Sequence, residues 1–431
     1  MLKLYKLFFL LVVCSSLNAS TIIEFNHIKK GVEDNNTLLV IGGIQGDEPG
    51  GFIAASLLST HYEITKGSVW VVPNLNFYSI IKRSRGPYGD MNRKFANLSK
   101  KDPEFKTVER IKNLIKDDRV KLIVNLHDVS GFYREQYIDK NHQPHKWGQC
   151  SIIDQSKLNV KYYRNLSDIS NKVVEHVNNN LLRSEDIYTQ HNTRTKDGDK
   201  EMEKSLTYFA TRNGKSAFGN EASKNLPTHK RVYYHLLALE KYMEIMGIKY
   251  KRKFDLTSEG VYSAINDGLS ISLYDGKINL PLSGIKRELN YFPIMKNSEI
   301  QYKGSNPLMR IVKSNNIYSV HYGNRCLLKL KADYLEFDEP CSSVNFMIDG
   351  KDTDVEFGSI IKVDNEFLVS NNSDYRVNVI GYTNKSKIET DIQISKAKLM
   401  KRFSVDKIGG LYRVEFYKGK KFVGMVLVQF V

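Results

Sequence analysis

Residues 38–48 read Leu-Leu-Val-Ile-Gly-Gly-Ile-Gln-Gly-Asp-Glu, and this stretch says more about the fold than any other part of the chain. Four apolar residues in succession are typical of a strand that is buried on both faces of a sheet. The glycines after them predict a tight turn, which places the carboxylate of Glu48 just beyond the strand. Gln45 and Glu48 lie three positions apart, so the turn can direct both side chains at one metal ion. Imidazole is a far commoner zinc ligand than an amide, and the glutamine at the first of these positions therefore needs an explanation.

Strand and helix patterns alternate in the first half of the chain. Ser167 is expected to cap a helix whose apolar residues recur at four-residue spacing as far as Leu181. Gly247 is expected to end a second helix that begins near Thr228. This alternation predicts an α/β fold, in which a sheet carries helices on its faces. The predicted strands are 37–41, 68–72 and 120–126, and a further helix is predicted at 51–62.

The second half has the alternating pattern of β-strands. Period-two stretches appear at 317–322 and 387–394, and the patterns at 411–417 and 422–431 flank a turn sequence, Lys418-Gly419-Lys420-Lys421, that predicts a hairpin. We therefore expect two small all-β domains, and we interpret them as packing and positioning elements rather than as sites of chemistry. The expected boundaries are 20–249 for the α/β domain, 250–340 for the first β domain and 341–431 for the second, an immunoglobulin-like β-sandwich.

The N-terminus has the pattern of a secretory signal peptide, residues 1–19. Lys3 and Lys6 precede the apolar run 7–13, and Leu17-Asn18-Ala19 offers small residues for cleavage. The apolar run is too short to span a bilayer, and no later segment is long and apolar enough to do so. We therefore expect an exported protein without a transmembrane segment.

The chain carries a formal net charge of +16. In an exported protein this charge does not indicate nucleic-acid binding, and the sequence lacks the aromatic platforms on which single-strand binders stack bases. Two interpretations stay open, namely attraction to an anionic wall or membrane surface and lysines that are simply solvated. Beyond the signal peptide the cysteines are Cys150, Cys326 and Cys341, which do not make a cysteine-based metal site. Cys326 and Cys341 could pair in an oxidising compartment.

Four segments of the first half could converge on one site. In open α/β sheets, ligands bind beyond the carboxyl ends of the strands, and the candidate side chains occupy such ends or the turns after them. Each segment alone has an ordinary structural explanation, so the evidence for a functional site comes from the order and combination of the four segments. The segments are Gln45 with Glu48, the loop from Arg85 to Arg93, His127 after its strand, and Glu221 after the strand-like Ser216-Ala217-Phe218.

This combination resembles the zinc metallocarboxypeptidases of the pancreatic type over roughly residues 37–247. Their motifs follow in the order of a His-x-x-Glu ligand pair, a substrate-binding arginine, an Asn-Arg pair, a ligand histidine after a strand and a catalytic glutamate. Two features point to one subfamily, namely the glutamine of Gln45-Gly46-Asp47-Glu48 and the β half that follows the α/β half. In both features the chain resembles the cell-shape-determining murein DL-carboxypeptidases of helical bacteria such as Helicobacter and Campylobacter, which accept glutamine as a zinc ligand.

The resemblance implies a fold, an activity and a set of residue roles. The implied fold is a carboxypeptidase-like mixed sheet flanked by helices and followed by two small all-β domains. The implied activity is the trimming of peptidoglycan tripeptide to dipeptide in the periplasm, with release of meso-diaminopimelate, which helps to set cell shape. The implied roles are Zn²⁺ ligands for Gln45, Glu48 and His127, catalytic base for Glu221, oxyanion stabilisation and substrate binding for Arg85, and binding of the terminal carboxylate for Asn92 and Arg93.

The departure at Gln45 has a chemical consequence. An amide oxygen is neutral and donates electron density to a metal more weakly than imidazole does. Gln45 should therefore weaken metal retention and leave the metal a slightly stronger Lewis acid. Loss of the histidine could instead mean loss of the metal, but the other candidate residues are all present, and we favour an active enzyme. Asp128, Tyr133 and Trp147 follow His127 and could either line the pocket or only pack.

Two other functions stay open. The short spacing from Arg85 to Asn92 also resembles that of N-acyl amino acid deacylases such as aspartoacylase and succinylglutamate desuccinylase, against which the signal peptide and the β half argue. The second alternative is a non-catalytic murein-binding protein with an inherited fold. The β domains could also recruit partners of a cell-shape complex, although they contain no recognisable recognition motif.

Overall fold

The structure is a computed structural model that describes residues 23–339, 343–371, 375–384 and 389–431. The predicted signal peptide, residues 1–19, lies outside the described residues, and so does Cys341. The pairing of Cys326 with Cys341 therefore stays a prediction.

Strands and helices alternate in the first half, as the sequence predicts. Short 3-10 helices at Met91–Arg93, Ser184–Asp186, Thr195–Asp197 and Met202–Lys204 lie in the connections. The elements are β1 (Ile28–Gly31), β2 (Thr37–Ile41), α1 (Pro49–His61), β3 (Tyr62–Lys66), β4 (Ser68–Val72), α2 (Phe77–Lys82), α3 (Phe105–Lys116), β5 (Val120–Val129), β6 (Phe132–Tyr133), β7 (His142–Gln143), β8 (Cys150–Ile153), α4 (Leu166–Asn178), β9 (Thr189–Asn192), α5 (Leu206–Arg212), β10 (Ser216–Ser223), α6 (Thr228–Ile245), β11 (Lys249–Arg252) and α7 (Ser258–Asn266).

A seven-stranded mixed sheet with the order β1-β4-β2-β5-β10-β8-β9 forms the centre of this half. The four central strands β4, β2, β5 and β10 run parallel, whereas β1 pairs antiparallel with β4 and β8 pairs antiparallel with β10. The carboxyl ends of β2, β5 and β10 therefore lie side by side at one edge of the sheet. The predicted α/β class with a mixed sheet is confirmed.

Two layers of helices cover the sheet, because its central strands are apolar on both faces. Leu38 and Val40 of β2 point into the core that α1, α4 and α6 cover. Leu39 and Ile41 of the same strand point into the core that α3 and α5 cover. Every residue of β2 and of β4 is buried, which is why these strands appear in the sequence as continuous apolar runs rather than alternating ones.

The helix ends agree with the sequence in one case and differ in another. α6 begins at Thr228, and Gly247 adopts a φ of +71° just beyond its end, as a C-terminal glycine should. α4 begins earlier than predicted, because Asn165 rather than Ser167 is its N-cap residue. The Ser167 hydroxyl instead donates a hydrogen bond to Gln190 on β9. The described residues contain no helix with the length and hydropathy that a membrane span requires.

In the described part of the second half, regular structure is β-structure apart from α7, which lies inside the predicted all-β range 250–340, and two 3-10 helices at Lys396–Lys398 and Lys401–Phe403. This part forms a three-stranded and three four-stranded sheets, with the orders β13-β12-β15, β14-β18-β17-β16, β20-β19-β22-β24 and β21-β26-β25-β23. The strands are β12 (Ser270–Leu273), β13 (Ile278–Pro281), β14 (Glu288–Met295), β15 (Tyr302–Gly304), β16 (Met309–Ser314), β17 (Ile317–Tyr322), β18 (Arg325–Leu335), β19 (Ser343–Ile348), β20 (Lys351–Glu356), β21 (Ile360–Val363), β22 (Glu366–Val369), β23 (Arg376–Val379), β24 (Ile394–Ser395), β25 (Leu411–Lys418) and β26 (Lys421–Phe430).

The last two sheets face each other across a core of their own. Val344 and Phe346 of one sheet and Val414 and Phe416 of the other belong to the same apolar cluster. The hairpin of β25 and β26 turns at Gly419, which has a φ of +60°, and this predicted hairpin is confirmed. The sheets made by β12 to β18 share one continuous apolar core with the first half. The boundaries at 249 and 340 stay predictions.

The strand predicted at 387–394 is wrong for residues 389–393. Only Ile394–Ser395 forms a strand in this region, while residues 385–388 lie outside the described part. Asp391 has a φ of +52°, a left-handed conformation that interrupts an extended chain. Its carboxylate accepts a hydrogen bond from the backbone N–H of Asn371, which stabilises a turn where the residue pattern alone indicates a strand.

Candidate metal centre and active site

His127 and Glu221 lie inside two neighbouring strands, not after them as the sequence suggested. β5 and β10 each continue two residues further, to Val129 and Ser223. The two strands are parallel, and His127 and Glu221 are register partners. Directly paired residues of neighbouring strands point to the same face of a sheet, so the imidazole and the carboxylate lie side by side.

A tight turn brings Gln45 and Glu48 to the same edge of the sheet. Gly43 has a φ of +73°, which glycine adopts without strain. A Cβ atom on Gly46 would lie 2.1 Å from the carbonyl carbon and oxygen of Ser79, so the turn can pack on α2 only with glycine at this position. Glu48 is the N-cap residue of α1, and the end of β2 and the start of α1 therefore fix the two side chains from either side.

Three atoms that could bind a metal ion, called the three donor atoms below, converge in the buried space between these elements. Oε1 of Gln45 lies 3.1 Å from Nδ1 of His127, and Oε2 of Glu48 lies 2.9 Å from the same nitrogen. The three residues are only 1%, 3% and 6% exposed. An amide oxygen, a carboxylate oxygen and an imidazole nitrogen thus meet at one point.

The electrostatics of this point favour a cation. Burial raises the pKa of Glu48 and of Glu221, although the His127 imidazole beside them opposes the shift. Oε2 of Glu221 is buried and has no hydrogen-bond partner among the described residues. Carboxylates that are costly to ionise in a buried site become easier to ionise next to a positive charge.

The donor set fits zinc, with one unusual member. Zinc is commonly held by imidazole nitrogen and carboxylate oxygen, which His127 and Glu48 provide. The part of the chain that the structure describes contains no group of three or more His, Cys, Asp or Glu residues able to hold a metal ion. The amide of Gln45 is therefore needed to complete a three-ligand set.

Asn125 adjoins the other ring nitrogen of His127, a contact that the sequence analysis missed. The Asn125 amide lies 2.7 Å from Nε2, because the two residues are two positions apart on one strand and so share a face. When Nδ1 binds a metal, Nε2 carries the proton and needs an acceptor. The amide oxygen of Asn125, which is buried and has no partner among the described residues, supplies that acceptor when the amide is turned toward the ring.

The loop after α2 brings Arg85 to the site. Nη1 of Arg85 lies 3.4 Å from Oε1 of Glu48, and its Nε donates a hydrogen bond of 3.0 Å to Asp90. The guanidinium is half exposed, so one side faces solvent while the other contacts a candidate ligand. This position suits a group that meets a substrate entering from solvent.

Asn92 and Arg93 lie at the rim of the site. Nδ2 of Asn92 is 3.5 Å from Nε2 of His127, and its Oδ1 accepts a hydrogen bond from the N–H of Leu206 at the start of α5. Arg93 lies near Glu201, at 3.9 Å, and its Nη1 donates a hydrogen bond to the carbonyl oxygen of Asn92. The structure thus brings Gln45, Glu48, His127, Glu221 and Arg85 together and places the Asn-Arg pair beside them.

Asp128 does not line the pocket, so that option from the sequence analysis is wrong. Successive residues of a strand point to opposite faces, and Asp128 therefore points away from His127, where it is fully buried. Its carboxylate accepts hydrogen bonds from the N–H of Gly50 at 2.6 Å and from Arg231 at 2.7 Å, and it lies 3.1 Å from Nε2 of His235. Asp128 thus ties β5 to α1 and α6.

We expect Asp128→Ala to destabilise the protein by about 3–5 kcal/mol, because it leaves the largely buried guanidinium of Arg231 without its carboxylate partner. The free energy of unfolding from urea titration measures the effect. Asp47→Ala is the control, since the ion pair of Asp47 with Lys224 is partly exposed and should contribute less than about 1 kcal/mol. Equal losses in the two variants would contradict this role.

Tyr133 and Trp147 pack on the same face of the sheet as Glu221. They form a small apolar cluster with Cys150 and Ile152, and Cys150 is the register partner of Glu221 on the strand opposite β5. Cys150 is itself fully buried. Both aromatic residues therefore pack beside the site, and their contact with a substrate stays a prediction.

Two family models match the chain. The model described as "Carboxypeptidase controlling helical cell shape catalytic" matches residues 1–266. The model described as "C-terminal domain of metallo-carboxypeptidase" matches residues 337–431. Among curated protein sequences, none matches the chain.

Solved structures of one relative match nearly the whole chain. The tripeptide-bound cell shape determinant Csd4 from Helicobacter pylori is 40% identical, with a TM-score of 0.88, and the match covers 95% of this chain and 100% of that chain. The mDAP-bound form of Helicobacter pylori Csd4, described as a D,L-carboxypeptidase, is 41% identical, with a TM-score of 0.88, and covers 94% and 100%. This similarity extends through the β half as well as the mixed sheet.

Proposed function

Because the chain belongs to the family of carboxypeptidases that control helical cell shape, we propose that it trims peptidoglycan tripeptide to dipeptide as a zinc-dependent D,L-carboxypeptidase. The chain is a metallocarboxypeptidase-type hydrolase, and it releases meso-diaminopimelate in this proposal. The observation that carries the proposal is the convergence of Gln45 Oε1, Glu48 Oε2 and His127 Nδ1 beside Glu221.

Gln45, Glu48 and His127 would hold the zinc ion. Zinc bound there would supply Lewis acidity and would lower the pKa of a bound water to about 7. These three side chains are almost fully buried, so charges beside them interact more strongly than they would in water. Asn125 holds the His127 ring in the orientation that directs Nδ1 at Gln45 and Glu48.

Glu221 and Arg85 would carry the chemical step. The free Oε2 of Glu221 would take a proton from the attacking water and pass it to the amine of the leaving diaminopimelate. Arg85, whose guanidinium already reaches Glu48, would donate hydrogen bonds to the oxyanion that forms at the scissile carbonyl.

Asn92 and Arg93 would select a chain end. A guanidinium presents paired N–H donors that match a carboxylate, and Asn92 adds an amide donor beside His127. In this proposal, a carboxylate bound at this rim would place the preceding peptide bond next to Glu221. Cleavage is then restricted to the terminal residue, which makes the enzyme an exopeptidase.

Purified mature protein, loaded with zinc, should release free diaminopimelate from uncrosslinked muropeptide tripeptides. Mass spectrometry of the muropeptides before and after incubation measures the conversion, and a chelator should block it. Zinc-loaded protein that leaves the muropeptides unchanged overturns the proposal. In that event, turnover of small N-acyl amino acids would indicate a deacylase, and muropeptide binding without product would indicate a non-catalytic protein.

We expect Arg93→Ala to raise KM for the tripeptide by about 10- to 100-fold, because a hydrogen-bonded charge contributes roughly 1.5–3 kcal/mol. The catalytic rate constant should change far less, since Arg93 binds the substrate end and not the reacting atoms. Steady-state kinetics separate the two effects. Arg212→Ala, which removes the same charge from an exposed position, is the control, and a fall in kcat without a rise in KM would argue against the clamp.

We also propose that the protein acts in the periplasm after removal of residues 1–19. The full sequence has a net charge of +16, which becomes +14 once Lys3 and Lys6 are removed, and this positive charge suits an anionic murein substrate. The β sheets after residue 250 would position the catalytic half and offer a surface for partners of a cell-shape complex. We retain 20–249, 250–340 and 341–431 as the proposed domains.

A further inference from the structure

Asp90 accepts hydrogen bonds from three different parts of the site. Its Oδ1 accepts from Nε2 of Gln45 at 2.7 Å and from the backbone N–H of Asn92 at 2.9 Å. Its Oδ2 accepts from Nε of Arg85 at 3.0 Å. The side chain of Asp90 is only 19% exposed, so these protein groups satisfy most of its hydrogen-bonding capacity.

The contact with Gln45 decides which end of the amide faces the candidate metal centre. A glutamine amide has an oxygen that accepts and an NH₂ group that donates, and the two ends have nearly the same shape. An ionised carboxylate can only accept, so the NH₂ end of Gln45 must face Asp90. The oxygen is thereby left 3.1 Å from Nδ1 of His127. Turned the other way, the amide would direct N–H groups at a cation.

We propose that Asp90 is a positioning residue that makes Gln45 competent as a metal ligand. The inference rests on the proposed function, since it concerns the zinc site. A charge-assisted hydrogen bond is about twice as strong as a neutral one. It also polarises the amide, so that the amide oxygen becomes a better electron-pair donor to a metal ion. Asp90 therefore offsets part of the weakness of an amide in place of imidazole, and it does so through Gln45 rather than by touching the metal.

The second oxygen of Asp90 extends the same control to Arg85. One carboxylate holds both the amide ligand and the arginine that would meet the oxyanion. Asp90 thus sets the distance between the metal centre and the oxyanion-binding group. Its removal should release both side chains at once, and the two effects can be measured separately.

The test compares zinc affinity in wild type, Asp90→Ala, Gln45→Ala and the double variant, by competition with a chelator of known affinity. We expect Asp90→Ala to weaken zinc binding about 10- to 100-fold, as is typical for the partner of a ligating side chain. In the Gln45→Ala background the same substitution should have almost no effect. Asp47→Ala, which removes a neighbouring carboxylate paired with Lys224, should bind zinc within about twofold of wild type.

The outcomes separate this inference from the proposed function. If wild type binds no zinc, both are overturned. If wild type binds zinc and releases diaminopimelate but Asp90→Ala binds zinc equally well, only the positioning role is overturned. An equal loss in the Gln45→Ala background also overturns it, because Asp90 would then act through another group. Where Asp90→Ala melts below the assay temperature, Asp90→Asn replaces it, and loss of the charge alone should still weaken zinc binding.

A kinetic measurement tests the contact with Arg85. At saturating zinc, Asp90→Ala should recover its metal but retain a lower kcat than wild type, because Arg85 stays released. Full recovery of kcat would overturn this second role and leave the first intact.

Discussion

Replacement of Glu221 by glutamine is expected to lower the kcat for release of diaminopimelate by about 10²- to 10⁴-fold, the range typical for loss of a general base. Glutamine has nearly the same shape, so the packing against Cys150 and His127 on the neighbouring strands is kept. What is lost is the carboxylate oxygen that has no partner among the described residues. Rates of product release from tripeptide, followed by chromatography, measure the effect.

The pH profile supplies a second readout for Glu221. Burial raises its pKa, so the carboxyl group is protonated and inactive as a base at low pH and becomes active as the pH rises through that pKa. A bound cation shifts this limb toward lower pH. The acid limb of kcat should therefore disappear in Glu221→Gln while zinc affinity and melting temperature stay close to wild type. If Glu221→Gln kept the wild-type turnover rate, Glu221 would have no role in the chemical step.

Replacement of His127 by alanine should remove both zinc binding and turnover. The expected loss of affinity is greater than the 10- to 100-fold typical of a residue that only supports a ligand, because a ligand itself is removed. The buried carboxylate of Glu48 also loses its 2.9 Å partner, which should cost about 1–3 kcal/mol of stability. Chelator competition, zinc analysis of the purified protein and urea unfolding measure these quantities.

Metal removal from the wild type is the reversible counterpart of this substitution. A chelator should abolish turnover, and added zinc should restore it in wild type but not in His127→Ala. His145→Ala is the matched control, since His145 is exposed and should leave zinc binding and turnover unchanged. Turnover by His127→Ala at the wild-type rate would show that the candidate centre is not the catalytic one.

The local sequence was sufficient to predict the class of the fold and the positions of a helix end and a hairpin turn. Apolar runs such as Leu38 to Ile41 must be buried on both faces, and only a sheet covered by helices on each side provides that environment. Gly247 and the Gly419 turn were predictable for the same reason, since a positive φ strongly favours glycine. These features depend on residues close together in the chain.

The orientation of the polar residues was decided by tertiary structure. His127 and Asp128 are neighbours in sequence and point to opposite faces, and the sequence could not say which face holds the site. The packing of β5 against α1 and α6 decides it, because Gly50, Arg231 and His235 bind the carboxylate of Asp128. The strand predicted at 387–394 was wrong at 389–393 for the related reason that the backbone N–H of Asn371, distant in sequence, donates a hydrogen bond to the Asp391 carboxylate and stabilises a non-extended conformation there.

The sequence by itself thus determined that a strand, a glycine turn and two polar side chains three residues apart would form, because short-range sterics and burial dictate them. Only the tertiary structure decided that the amide of Gln45 presents its oxygen to His127. That outcome depends on Asp90, which lies 45 positions away in sequence and 2.7 Å away in space. A hydrogen-bond acceptor brought in from a distant loop cannot be derived from the residues next to Gln45, and it is the folding of the loop onto the turn that makes the pair.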